Sequence, residues 1–135
     1  MSLLHGWLGA LLVTLFAVLG TWGLALRLMG RDEAPAAYWG VQHWTENLLL
    51  VQTVIGVVFL LIGRRVAGDD LVFLHYFYGS LFPLIAIVGG RIAGMRREER
   101  DYVGLAWGAF FAFGLTLRAF MTGCGDVLSL VCLAP

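Results

Sequence analysis

Apolar residues in this chain come in long runs rather than in alternation. Four stretches, at about residues 7 to 29, 41 to 62, 71 to 94 and 102 to 122, are almost continuously hydrophobic, and short polar segments separate them. Crossing about 30 Å of hydrocarbon takes roughly 20 apolar residues at about 1.5 Å rise each. Each stretch is long enough, so the pattern predicts four transmembrane helices. The connections are Gly30-Arg31-Asp32-Glu33-Ala34-Pro35, then Arg64 to Asp70, then Arg96-Arg97-Glu98-Glu99-Arg100-Asp101. Loops this short force sequential helices to pack antiparallel. The expected fold is therefore all-α: an integral membrane four-helix antiparallel bundle forming one domain over residues 1–135, with a short outer tail at 123–135.

Composition narrows the function classes. Hydrophobic residues make up 60% of the chain and charged residues 13%, against roughly 45–50% and about 25% in soluble domains. A soluble enzyme, a nucleic-acid binder and a disordered regulator are excluded on that ground. All nine basic residues are arginine and the formal net charge is zero. Without a polybasic tract the expected partners are the lipid bilayer and other membrane subunits or a second copy, not nucleic acid. The N-terminus lacks the basic region and small-residue cleavage site of a removable signal peptide, so the first stretch is expected to remain as an anchor. Basic residues near span ends are retained on the cytoplasmic side. Arg27, Arg31, Arg91, Arg96, Arg97 and Arg100 lie towards one face, and Arg64, Arg65 and Arg118 towards the other. That bias predicts both termini outside, in a bacterial inner (cytoplasmic) membrane.

Small residues let helices approach closely in lipid, where hydrophobicity gives little association energy. Gly90-x-x-x-Gly94 and Gly104-x-x-x-Gly108 have this form and are candidate faces for bundle packing or for a larger partner. Pro83 removes a backbone donor and is expected to kink the third span, freeing the carbonyl of Gly79.

Ionisable groups inside spans are costly and mark candidate sites. A shift of 70 residues overlays the first span on the third, setting His5 on His75 and Gly9 on Gly79. At about 100° per residue, His5, Gly9, Phe16, Gly20 and Gly23 share one face, as do His75, Gly79, Phe82, Ala86 and Ala93. Each histidine tops a column of mostly small residues. Two imidazoles from facing helices form a normal axial pair for haem iron, and Arg118 is at the right depth to neutralise a propionate. The plainer reading makes the histidines and Tyr78 interfacial belt residues, with the small columns serving packing alone. Tyr38, Trp39 and Trp44 at one end, and Trp7 and Tyr76 at the other, read as aromatic belts.

The second span carries a dense polar face with Gln42, Thr45, Glu46, Gln52 and Thr53, and His43 and Asn47 just beside it. That face is expected to look inward. It reads as a proton or ion entry, with Glu46 titrating beside His43 and held by Tyr38 or Arg27, or as a structural network. Cys124 and Cys132 fit no zinc signature and suit one disulfide stapling the outer tail.

The stretch Leu26-Arg27-Leu28-Met29-Gly30, followed by Gln42-His43-Trp44 and Val51-Gln52-Thr53-Val54-Ile55-Gly56, resembles one half of the haem A synthase family. Members have two four-helix halves, histidine haem ligands, an acidic residue near a histidine and often an external cysteine pair. The resemblance covers about a third of the chain. Glu46 follows His43 instead of preceding a histidine, and the cysteines are C-terminal, so what it implies is haem and not the synthase reaction. The expectation is a non-catalytic accessory or assembly subunit of a membrane redox or respiratory complex, binding one haem b through His5 and His75 for electron transport. The alternatives are a small transporter centred on Glu46 and His43, and a purely structural interaction subunit.

Overall fold

The computed structural model describes residues 2–63, 72–96 and 100–124. It is an all-helical antiparallel bundle of four spans. The first span is α1 (Ser2–Leu28) and the second α2 (Ala36–Leu61). The third is built from α3 (Val72–Tyr76), a π-helical turn (Phe77–Leu81) and α4 (Phe82–Met95), and the fourth is α5 (Asp101–Cys124). All four spans are long and apolar enough to cross a membrane.

The break between the first two spans has a local cause. Gly30 adopts φ +69°, the left-handed conformation that closes a helix. Its N–H bonds to the Arg27 carbonyl, and the Arg31 N–H reaches back to Leu26, which satisfies carbonyls that the helix end leaves free. Pro35 then precedes α2 in an extended conformation at its N-cap. The first and third connections meet at one end of the bundle. There Arg100 pairs with Asp32 at 2.9 Å, and the Tyr102 hydroxyl donates to the Arg31 carbonyl at 2.6 Å.

α5 is the central helix, packing on α1 and along the whole third span, while α2 packs chiefly on α1. The two glycine pairs face each other across the α4–α5 contact. A Cβ on Gly104 would collide with the Gly90 carbonyl oxygen, and one on Gly90 would lie 2.6 Å from the Gly104 oxygen. Backbone therefore touches backbone, which only glycine permits. Of the two readings of these motifs, bundle packing is the one formed, since the chain's own α4 covers Gly104 and Gly108.

The π turn answers the Pro83 problem. Phe82 donates its N–H to Phe77, five residues back, so the chain takes up one extra residue before the proline. That residue shifts the buried column of the third span. Pro83, Ile87, Gly90 and Gly94 face inward, three of them one place beyond Phe82, Ala86 and Ala93 of the continuous projection. Phe82 and Ala93 are exposed instead. Tyr38 is a second correction: it is fully buried, boxed by Trp22, Trp39 and Tyr102 at 5.5, 5.7 and 6.3 Å between ring centres. Trp7 and Trp44 are exposed as belt residues should be.

Candidate functional site: a paired-histidine centre between the spans

His5 and His75 converge at the end of the bundle opposite the Asp32–Arg100 tie, with ring centres 6.3 Å apart and planes inclined by 56°. His5 lies one turn into α1 and His75 in α3, so the pair is assembled from the first and third spans. The second and fourth spans complete its surroundings. Gln52 of α2 donates from Nε2 to the His5 backbone carbonyl at 2.9 Å and lies 3.5 Å from His5 Nε2. Phe59 meets the His5 ring edge-on at 5.5 Å. From α5, the Ala119 carbonyl lies 2.9 Å from His75 Nδ1.

That last contact fixes a tautomer. A carbonyl oxygen can only accept, so Nδ1 of His75 carries the proton and Nε2 is left with its lone pair. An imidazole anchored by Nδ1–H on a backbone carbonyl is the usual arrangement of a ligating histidine. Gly123 keeps this ring in place by its lack of a side chain, since a Cβ there would lie 2.9 Å from His75 Cε1. Thr122 donates to the same Ala119 carbonyl.

His5 is less committed. Its Nδ1 is buried with no hydrogen-bond partner among the described residues, as is Gln52 Oε1. Buried polar atoms normally find partners; the Gln52 amide nitrogen beside His5 Nε2 can only donate, so that ring nitrogen accepts and the unpartnered Nδ1 carries the proton. The 6.3 Å separation of the ring centres is the dimension to compare with a shared metal. With metal–nitrogen distances of about 2.0–2.1 Å, two imidazoles on opposite sides of an ion have ring centres roughly 6 Å apart.

No family model, curated protein or solved structure matches the chain. Its site is read from its own residues.

The remaining candidates do not form one cluster. Arg118 is exposed, one turn before Thr122, which lies 3.4 Å from His75 Nδ1; it makes no hydrogen bond or ion pair among the described residues. Of the predicted polar site on α2, the face itself is inward, with Tyr38, Gln42, Thr45, Leu49 and Gln52 buried. His43, however, is exposed and makes no bond to Glu46, whose partners among the described residues are Arg91 and Gln42. Arg91 of α4 takes Glu46 instead, with one guanidinium nitrogen 2.7 and 2.9 Å from its two oxygens. Gln42 adds a bond at 3.1 Å. Tyr38 and Arg27 do not serve as its holders, and the Tyr38 hydroxyl is buried without a partner among the described residues. Gln52 belongs to His5. The predicted Cys124–Cys132 disulfide lies outside the described residues.

Sequence reasoning missed Arg91 as the partner of Glu46. Both lie towards the same end of the bundle, and as opposite charges inside separate spans they carried a signal that could have found the pair.

Proposed function

We propose that this chain is a non-catalytic accessory or assembly subunit of a membrane redox or respiratory complex, and that His5 and His75 hold one haem b within it. The observation that carries the reading is the convergence of two imidazoles from separate spans at 6.3 Å, one of them fixed with its Nε2 lone pair free. The resemblance of residues 26–56 to a half of the haem A synthase family supports the choice of haem over other metal groups. A bound haem supplies one-electron transfer. The protein's own part is to hold the two rings, through Ala119 for His75 and Gln52 for His5, and to keep water from them with the surrounding apolar helices. In this reading it sits in a bacterial cytoplasmic membrane with both termini outside, as the arginine bias favours.

Transport centred on Glu46 and His43 has less support. The Glu46 carboxylate is bonded to Arg91 and Gln42, and His43 makes no bond to it among the described residues.

The deciding measurement is a pair of absorption spectra, oxidised and dithionite-reduced, of the protein purified in mild detergent from haem-replete cells. A sharp reduced band that His75→Ala abolishes is the expected result. A featureless spectrum of the unaltered protein would overturn the haem assignment.

A further inference from the structure

α2 is the least covered of the four spans. Only 17% of its most apolar window is buried, against 44% for α5. Its buried face is made by Tyr38, Gln42, Thr45, Leu49 and Gln52. Asn47, expected just beside the polar face, lies instead roughly opposite the middle of the buried face at about 100° per residue, and it is exposed. Gly40, His43, Val51, Val54 and Val58 are exposed beside it within roughly 80° of arc.

The depth of Asn47 is what makes this face unusual. It lies about 16 Å from the start of a helix about 39 Å long, which places it inside a hydrocarbon layer about 30 Å thick. Lipid tails offer its amide nothing, and Asn47 has no hydrogen bond among the described residues. A side-chain amide in hydrocarbon is met by another helix.

We infer that the Asn47 face of α2 is the interface of a homodimer, with Asn47 of one copy hydrogen-bonded to Asn47 of the other. A second copy fits for a geometrical reason. Two copies inserted in the same sense are related by a two-fold axis along the membrane normal, so their α2 helices run parallel and the two Asn47 residues meet at one depth. The amide carries both donors and an acceptor, which makes it complementary to itself across that axis. Another protein would need a polar group placed independently at this depth. The neighbouring positions suit close approach: nothing lies within 4 Å of a Cβ built on Gly40, and valines have little rotamer freedom to lose in a helix.

The test is energy transfer between donor- and acceptor-labelled full-length protein, labelled at the N-terminus and reconstituted in phosphatidylcholine vesicles over a range of protein-to-lipid ratios. Concentration-dependent transfer is expected from the unaltered chain. Asn47→Val should weaken association about tenfold, Asn47→Gln should largely preserve it, and Phe111→Ala, on the exposed face of α5, should leave it unchanged. Helix content by circular dichroism checks that each variant is folded. A chain that stays monomeric at every ratio would overturn the inference. So would a dimer indifferent to Asn47→Val, or one broken by Phe111→Ala, and none of these results depends on whether haem is bound.

Discussion

Glu46 and Arg91 show how a membrane changes the meaning of an ion pair. On a water-exposed surface such a contact is worth little, but Glu46 lies about 15 Å along α2, where an unpaired carboxylate is expensive. Their bond ties α2 to α4, two helices that otherwise share little contact. Arg91→Leu should therefore destabilise the bundle more than Arg91→Leu combined with Glu46→Leu, because the double change leaves no orphaned charge. A double-mutant cycle from unfolding in mixed detergent micelles should give a coupling of about 1 kcal/mol. A coupling near zero would show that both side chains reach the headgroups separately. The histidine pair is a residue-scale feature of another kind. His5 and His75 were legible as candidates because imidazoles are rare inside spans, whereas the Ala119 carbonyl that orients His75 was not, since every residue has a carbonyl and only the fold selects one.

At the scale of the element, the four spans could be read from the chain because length and hydropathy decide them before any packing does. The inward face of α2 was equally plain, its polar side chains having nowhere better to point. The third span was only half legible. Its upper part was placed by His75, but a projection at a constant 100° per residue fails beyond Phe77, because the π turn adds a residue that no hydrophobic pattern announces. Pro83 signalled a disturbance without saying which way the helix would absorb it. The glycine pairs were visible as motifs, yet nothing in their spacing says that one pair packs on the other. Their contact leaves no room for a side chain. Gly104→Val should force α4 and α5 apart and cost about 3 kcal/mol or more, read as a fall in thermal unfolding temperature in detergent. Gly114→Val, at a position on α5 where an added Cβ would meet nothing within 4 Å, should cost less than about 1 kcal/mol by the same measurement.

For the whole molecule, the bundle is pinned at two ends by different means. One end is tied by Asp32–Arg100, the Tyr102–Arg31 bond and the aromatic box round Tyr38; the other holds the histidines. Between them, the α4–α5 glycine contact fixes the lower part of the third span, and the π turn then sets the rotation at which α3 leaves it. Chain length, and not only residue identity, thus encodes the histidine centre. Deleting Ser80 would convert the turn to ordinary α-helix and swing α3 by about 100° relative to α4, turning His75 away from His5 while both histidines and every glycine remain in the sequence. On the haem assignment proposed above, the expected outcome is a folded, fully helical protein without the reduced absorption band, read from circular dichroism and the spectrum together; a band that persists would show that α3 can find the site without the extra residue. The centre would then be open to gain or loss through a single-codon insertion or deletion, a kind of change that surveys of point substitutions do not sample.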